Sequence, residues 1–399
     1  MSRAYWWQRP DLGYESGRLQ LAGHDLESLG RSMGTPSFVY SLPRVLTKLD
    51  DLHGALDAQA VPHSVFYALK ANRHPALLNS LKLHGRCGID VCSPNELRLA
   101  RQSGFAEEEI TYTGTSVGNA DLDLLARMPG VHLNCDSLSS LRRLGQRAPG
   151  RSIGLRVNPG LSASHLKHIS YAGEQATKFG IYLDQVDEAL EIAREYALEI
   201  DTLHFHAASG YLDDELPLLE ALLARADEFI GRIPGLKNLD IGGGLGVPLR
   251  EGQSPLDLDR WARLLADFVV PRNLHLQLEP GDYLVKDAGL LLVEVNTVEE
   301  KGGTLFVGVD AGFNLSNLHA YYQYPYIVTA LVESDAPLAQ VTIAGNINEG
   351  IDTLAEDVTL PLPQEGDLLA IMNLGGYSSS NSSNHCMRGD YQEYVLVSA

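Results

Sequence analysis

The first candidate catalytic residue along the chain is Lys70, which ends an apolar run in residues 65–70 (VFYALK). Such a run predicts a buried strand, so Lys70 would stand at its carboxyl end. Burial there would lower the pKa of the lysine amine and make it nucleophilic, as imine chemistry requires. The simpler interpretation is a surface lysine at the end of a strand.

Two further segments offer groups that suit an aromatic ligand. His204 and His206 are two residues apart in a predicted strand, which places both imidazoles on one face. They could bind a metal, pack in a core, or lay one ring flat on an aromatic cofactor. Glu279 ends the apolar run 274–278. Its carboxylate could pair with a protonated ring nitrogen, or it could be a solvated surface group.

A glycine-rich segment follows another predicted strand, in residues 240–246 with the sequence DIGGGLG. Consecutive glycines let backbone N–H groups approach a phosphate closely, and Ser209 could share that phosphate. The alternative is a tight turn between a strand and a helix. A nucleophilic lysine, a stacking histidine, a phosphate cradle and a carboxylate partner are together what pyridoxal phosphate needs.

Composition narrows the class of protein. The 399 residues include 51 acidic and 31 basic side chains, a formal net charge of −20, which argues against nucleic acid or an anionic membrane as a partner. Four cysteines are too few for a disulfide framework in a chain of this length. Neither a signal peptide nor an apolar run of about 20 residues is recognisable. We therefore expect a soluble, cytoplasmic protein.

The elements that must position these residues fall into two patterns. From about residue 35 to 285, apolar strand-like runs alternate with helical patterns, which predicts an α/β fold, an eight-fold β/α barrel of the TIM type. A doubly wound sheet is the competing interpretation. Residues 286–399 instead read as a C-terminal β-domain, which the first 34 residues would join. Its predicted strands are 290–298 and 304–309, joined around Gly302 and Gly303, then 340–343, 368–372 and 394–397.

These motifs, in this order, resemble a known family, the barrel-type pyridoxal phosphate decarboxylases with an alanine racemase-like fold, specifically the diaminopimelate and ornithine decarboxylases. The resemblance covers nearly the whole chain. Further matching stretches are 90–97 (DVCSPNEL), 156–159 (RVNP), 178–181 (KFGI), 310–312 (DAG) and 375–377 (GGY). The resemblance implies pyridoxal 5'-phosphate as cofactor, an amino-acid substrate, and a homodimer in which each β-domain completes the active site of the partner subunit.

The resemblance also implies roles for individual residues. Lys70 would bind the cofactor covalently, His206 would stack on its ring, and Glu279 would pair with the pyridine nitrogen. Asp90 and Arg156 would poise the lysine. The remaining cofactor-binding residues, most of them around the phosphate, would be Ser209, Gly243, Gly244, Gly281 and Tyr377.

Two departures from the family pattern concern the substrate. The family usually has arginine after Glu-Pro-Gly, where this chain has Asp282, and a second arginine is missing from residues 314–319 (NLSNLH). Losing two cations should weaken binding of a distal carboxylate on the substrate. A diamino or substituted amino acid is therefore expected, in an altered pocket. The predicted substrate-binding residues are Asp282, His319, Tyr322 and Glu349.

A third departure concerns the proton that replaces the lost carboxylate. Residues 345–352 (GNINEGID) stand where the family carries a cysteine that protonates the α-carbon, and Asn348 takes its place. An amide is no practical acid near neutral pH, so another donor must act. The candidates are Cys386, His385 or a water held by Asn348. Glu349 is retained and could bind a distal ammonium group.

Decarboxylation of an amino acid is the leading hypothesis. Racemisation or another reaction at the α-carbon is the alternative, because the expected cysteine is missing. A non-catalytic relative is disfavoured by Lys70, His206, Glu279 and Tyr377. A metal-dependent barrel hydrolase using His204 and His206 lacks further ligands at a recognisable spacing, so no metal is expected.

Overall fold

The structure is a computed structural model, and it describes residues 5–164, 172 and 176–398. The chain forms two compact units. One unit contains residues 49–247 and 254–283. The other contains the residues up to Lys48, those from Leu284 onward, and the short segment Pro248–Gln253.

The strands of the described chain are numbered in chain order. They are β1 (Leu12–Glu15), β2 (Arg18–Leu21), β3 (His24–Asp25), β4 (Ser37–Ser41), β5 (His63–Ala68), β6 (Gly88–Val91), β7 (Ile110–Tyr112), β8 (His132–Cys135), β9 (Ser152–Arg156), β10 (Ala163–Ser164), β11 (Glu199–His204), β12 (Ala208–Ser209), β13 (Asn238–Asp240), β14 (His275–Leu278), β15 (Gly289–Lys301), β16 (Thr304–Val309), β17 (Val328–Ala330), β18 (Leu338–Ala344), β19 (Thr353–Pro361), β20 (Leu368–Met372) and β21 (Gln392–Leu396).

The helices are numbered in the same way. They are α1 (Leu26–Met33), α2 (Leu42–Ala58), α3 (Pro75–His84), α4 (Pro94–Gln102), α5 (Asn119–Leu125), α6 (Leu138–Arg147), α7 (Val186–Glu195), α8 (Leu216–Ile230), α9 (Leu258–Val269), α10 (Asp282–Val285) and α11 (Leu318–Tyr322). No helix in the part of the chain that the structure describes is long and apolar enough to cross a membrane.

The first unit is a closed barrel of eight parallel strands. Their order is β5, β6, β7, β8, β9, β11, β13 and β14, and β14 pairs with β5 to close the ring. The predicted eight-fold β/α barrel is therefore confirmed, and a doubly wound sheet is excluded because its sheet would stay open. In this architecture the carboxyl ends of all strands meet at one end of the barrel, where active sites form.

The helices around the barrel begin where the sequence supplies a cap. Ser93 accepts a hydrogen bond from the Glu96 N–H, and Pro94 occupies the first turn of α4. Asp257 accepts one from the Arg260 N–H at the start of α9. These side chains satisfy N–H groups that a helix leaves without a partner, so the short loops after the strands have defined ends.

The second unit is built around an antiparallel-rich sheet with the order β17, β20, β15, β16, β18 and β19. β15 and β16 form the predicted hairpin, with Lys301 opposite Thr304. Gly302 and Gly303 have positive φ angles of 61° and 85°, which is why glycines suit this turn. The predicted β-domain is therefore present.

The position of β4 corrects the sequence analysis. Residues 35–285 were assigned to the barrel, but β4 pairs with β15 and β21 and forms no barrel strand. All five of its residues are buried, and Phe38 belongs to the core of the sheet. An apolar run that is buried on both faces suits either sheet equally well, so its composition did not distinguish them.

Candidate active site

Lys70 lies in a short 3-10 turn, Leu69–Ala71, directly after β5. Its Nζ is 3.3 Å from Oδ2 of Asp90, a buried residue on the neighbouring strand β6. The Lys70 side chain is 40% exposed in the protein alone, so the burial expected from the sequence is only partial. The lysine nevertheless stands at the carboxyl end of a barrel strand with a carboxyl partner.

Asp90 is an unusual carboxyl group because its environment opposes ionisation. Burial raises its pKa, the charge of Glu279 raises it further, and Lys70 lowers it, so that the pKa is about 7. Its Oδ1 has no hydrogen-bond partner among the described residues. Asp90 can therefore take or release a proton near neutral pH, beside the amine of Lys70.

His206 follows β11 and is held by the glycine segment. The Gly243 N–H donates to His206 Nδ1 at 3.2 Å, so this nitrogen carries no proton. Burial, with the charges of Lys70 and Arg156, lowers the pKa of His206 to about 3. The imidazole is therefore neutral, and a neutral aromatic ring suits stacking on a pyridine ring.

The glycine segment is shaped by close backbone approaches. A Cβ at Gly243 would lie 2.5 Å from the Glu279 carbonyl oxygen. At Gly244, where φ is +101°, it would lie 2.8 Å from the Ala208 carbonyl oxygen. Neither position tolerates a side chain, so the backbone stays bare beside the segment that carries Ser209.

This bare backbone fits the phosphate of pyridoxal 5'-phosphate. The segments after β11 and β13 run side by side, since Tyr211 N–H donates to the Gly244 carbonyl and forms a parallel bridge with Leu245. Ser209 therefore lies in the segment beside Gly244, and its predicted role in holding the phosphate stays a prediction. The Gly243 N–H already donates a hydrogen bond to His206 in this structure. The predicted role of Gly243 in binding the phosphate therefore stays a prediction.

Glu279 follows β14 and is buried, so it is not a solvated surface group. Its Oε2 is 3.2 Å from His204 Nε2, and its Oε1 accepts from the Thr113 hydroxyl at 3.3 Å. Burial opposes ionisation of Glu279, but His204 and the charge of Lys70 outweigh burial and lower its pKa to about 2. Glu279 is a fixed carboxylate that can pair with a cationic ring nitrogen.

Sequence reasoning missed the residues that support Glu279. Thr113 follows β7 and receives a hydrogen bond from the Asn134 amide at 2.9 Å, and both are buried. Asp240, the last residue of β13, lies beside Glu279 and His204, with the possible ligand atoms of all three within 4.8 Å of one another. The signal that could have found them is their place at the carboxyl ends of barrel strands.

Arg156 ends β9 and is buried. Its guanidinium lies over the Phe179 ring, 4.6 Å from the centroid. This stacking holds the charge in the barrel, where it disfavours protonation of His206. The predicted role of Arg156 in poising Lys70 stays a prediction.

The remaining predicted residues are divided between the units. Gly281 and Asp282 follow Glu279 at the end of the barrel sequence, whereas His319, Tyr322, Asn348, Glu349, Tyr377 and Cys386 belong to the second unit. There, His385 Nε2 is 3.2 Å from Glu349 Oε1, and His319 Nδ1 donates to the Tyr324 carbonyl at 2.7 Å. Asn348, Glu349 and Cys386 are exposed.

Comparisons with known proteins agree with this site. A model of the pyridoxal-dependent decarboxylases, described as their pyridoxal binding domain, matches residues 44–286. The chain belongs to this family. Because the family is pyridoxal-dependent and the bare backbone at Gly243 and Gly244 suits a phosphate, pyridoxal 5'-phosphate is its cofactor, as predicted.

Individual relatives narrow the class further. The diaminopimelate decarboxylase of Methanothermobacter thermautotrophicus is 37% identical over 395 residues, covering 95% of this chain and 91% of that protein. That of Pseudomonas aeruginosa is 34% identical and covers 97% of this chain and 93% of its own length. The crystal structure of diaminopimelate decarboxylase from Helicobacter pylori complexed with L-lysine has a TM-score of 0.85 and 26% identity, covering 93% of this chain and 94% of that one.

The protein is therefore a carboxy-lyase that uses pyridoxal phosphate to decarboxylate an amino acid. The predicted resemblance and enzyme class are confirmed.

Proposed function

We propose that this enzyme decarboxylates a diamino or otherwise substituted amino acid in a pocket that differs from that of its diaminopimelate-decarboxylating relatives. The observation that carries the proposal is the charge of the predicted substrate-binding residues. Asp282 stands where the family usually has arginine, Glu349 is retained, and residues 314–319 contain no arginine. A carboxylate at the distal end of a substrate would meet like charge there, whereas an ammonium group would meet opposite charge.

We assign the barrel residues to the common part of the reaction. When bound, pyridoxal phosphate supplies an electron sink for the bond between the α-carbon and the carboxylate. Lys70 would hold the cofactor through its amine. The Glu279 carboxylate would pair with the ring nitrogen and favour its protonated form, and the neutral His206 ring would stack on the pyridine.

The Glu349–His385 pair supports a cationic distal group. Both side chains are partly or fully exposed, and their hydrogen bond is 3.2 Å long. An exposed pair of this kind contributes little stability, so an incoming ammonium group can replace His385 as the partner of Glu349 at small cost. Glu349 is therefore the proposed anchor for the distal end of the substrate.

We further propose Cys386 as the donor that protonates the α-carbon. The Glu349–His385 hydrogen bond brings the segment with Asn348 next to the segment with Cys386, whose thiol belongs to an exposed residue. A thiol is a far better acid than the amide at position 348. Cys386→Ala should lose turnover while retaining cofactor binding. If His385→Ala loses it instead, His385 is the donor.

We also propose that two copies of the chain share their active sites. The support is the family resemblance together with the division of predicted site residues between the two units. Lys70→Ala and Glu349→Ala proteins, each with little activity, would be mixed, dissociated and reassociated. Mixed dimers regain one intact site if the sites are shared, and regained activity is the expected result. Unchanged low activity would contradict shared sites.

The substrate proposal is tested by product analysis. The purified enzyme with pyridoxal phosphate would be incubated in heavy water with a panel of L-, D- and meso-amino acids, including meso-diaminopimelate. The expected product is an amine with one deuterium on the former α-carbon, formed faster from diamino acids with no distal carboxylate. Preference for diaminopimelate would contradict the altered pocket, and deuterated amino acid that keeps its carboxylate would indicate racemisation.

A further inference from the structure

Asp240 is a buried carboxyl group that the reaction described above does not use. It is the last residue of β13 and is fully buried. Its Oδ1 accepts the Gly242 N–H at 2.8 Å, whereas its Oδ2 is buried with no partner in the described part of the chain. A buried oxygen without a partner is costly, so its protonation state needs an explanation.

The neighbours of Asp240 show where the negative charge lies. Glu279 accepts hydrogen bonds from two side chains, His204 and Thr113, whereas Asp240 accepts one from the Gly242 backbone N–H among the described residues. Two carboxyl groups this close in a buried site do not both ionise, and the one with more donors keeps the charge. Burial and the charge of Glu279 accordingly raise the pKa of Asp240.

A metal ion is the competing explanation, because His204, Asp240 and Glu279 could all supply ligand atoms. His204 Nδ1 is also buried without a partner among the described residues. However, both oxygens of Glu279 are already occupied by donors, and His204 Nε2 is used for one of them. A metal would have to break these hydrogen bonds, whereas a proton on Asp240 leaves them intact.

We propose that Asp240 is a positioning residue that keeps its proton and donates it in a hydrogen bond to Glu279. The neutral acid would hold the Glu279 carboxylate in place without adding a second negative charge to the cluster. His204, Asp240 and Glu279 then carry a single negative charge between them. The inference rests on the proposed pairing of Glu279 with the cofactor nitrogen.

The proton on Asp240 can be observed without the reaction. Infrared spectra of the cofactor-free protein at pH 9, where Asp90 is ionised, should show the C=O stretching band of a protonated carboxyl. Asp240→Asn should remove this band, and Asn238→Ala on the same strand should keep it. A wild-type spectrum without the band would overturn the proposal, as would stoichiometric metal in the purified protein.

The positioning role is tested by cofactor affinity. Asp240→Asn retains both a hydrogen-bond donor and an acceptor. Its affinity for pyridoxal phosphate should therefore equal that of the wild type from about pH 6 to about pH 9. Asp240→Ala lacks the donor and should bind about tenfold more weakly, the usual effect of one hydrogen bond to a charged group. If Asp240→Asn binds pyridoxal phosphate much more weakly than the wild type, or if the pH dependence of its affinity differs, then Asp240 is ionised in the wild type and the proposal fails.

Two further results keep the inferences separate. If Asp240→Ala fails to fold, the infrared band and the pH dependence of cofactor affinity in Asp240→Asn are sufficient to test the proposed role of Asp240. Glu279→Gln tests the proposed pairing itself: unchanged cofactor affinity in that variant would refute the role of Glu279, even if the band of Asp240 is present.

Discussion

The barrel and the second unit hold their predicted site residues in contrasting ways. In the barrel, Lys70, Asp90 and Glu279 stand at or just after strand ends and contact other side chains of the site. In the second unit, Asn348 lies in an exposed bend and Cys386 in an exposed 3-10 turn. Groups that share one buried network constrain one another, whereas exposed loop residues can change independently. The departures from the family pattern at Asn348 and in 314–319 fall in the second unit.

This difference separates buried groups from exposed ones. The barrel residues serve steps that every substrate of the family requires, and their burial gives them shifted pKa values. In our proposal the exposed residues of the second unit include Glu349, which contacts the variable part of the substrate, and Cys386, which protonates the α-carbon. Substitutions in the barrel should therefore affect both stability and chemistry, and substitutions on the loops should affect turnover or KM alone.

Lys70→Ala should have the largest effect. The variant lacks the amine that binds the cofactor, so turnover should fall by at least about a hundredfold. Borohydride reduction followed by mass spectrometry should find no cofactor attached to the protein. Lys82→Ala, at a surface ion pair with Glu109, is the control and should remain labelled at Lys70. Labelling of a different lysine in the Lys70→Ala protein would show that the site is wrongly placed.

A pair of glycine variants compares the two regions directly. Gly243→Ala places a Cβ 2.5 Å from the Glu279 carbonyl and should cost about 1–3 kcal/mol of unfolding free energy. Gly350→Ala, next to Glu349, meets no atom within 4 Å and should change stability by less than about 0.5 kcal/mol. Urea unfolding measures both. Equal losses in the two variants would remove the contrast between a packed and an open site.

Glu349→Ala should raise the KM for the substrate about tenfold, the effect of losing one charged hydrogen bond. The unfolding free energy should stay within about 0.5 kcal/mol of the wild type, because the residue is exposed. Steady-state kinetics and urea unfolding provide the two values. Glu356→Ala, another exposed carboxylate of the same unit, should leave the KM unchanged. A large loss of stability in Glu349→Ala would make its role structural.

The pH dependence of stability should show opposite signs for two barrel carboxyls. Asp90 keeps its proton in the folded state up to about pH 7, but the unfolded chain ionises near pH 4, so stability falls as pH rises between these values. Glu279 ionises at about pH 2 in the folded state, so its stabilisation is present above about pH 4.3 and is lost as pH falls toward 2.

Each contribution amounts to at most about 1.4 kcal/mol per pH unit. Chemical unfolding of the cofactor-free protein between pH 2 and 8 gives the profile. Asp90→Asn should reduce the slope between pH 4 and 7, to which a protonated Asp240 also contributes, and Glu279→Gln should remove the acid slope. If Asp90→Asn instead changed the acid slope and Glu279→Gln changed the slope between pH 4 and 7, then Asp90 would be the ionised group and Glu279 the protonated one.

The sequence predicted the fold and much of the barrel site. Alternating strands and helices indicated the barrel, because each element shows its own period of apolar residues. The residue types at Lys70, His206 and Glu279 indicated the chemistry, since few cofactors need a lysine, an imidazole and a carboxylate together. Hydrogen bonds between elements escaped prediction, including Gly243 to His206 and Thr113 to Glu279.

The sequence by itself determined the order of strands and helices, the cofactor chemistry and the departures from the family pattern. These depend on local periodicity and on residue types at short spacing, both of which are visible along the chain. The tertiary structure alone decided that β4 joins the second sheet and that Glu279 receives hydrogen bonds from His204 and Thr113. Both depend on which distant segments become neighbours, because pairing partners, burial and charge–charge distances are set only once the chain is folded.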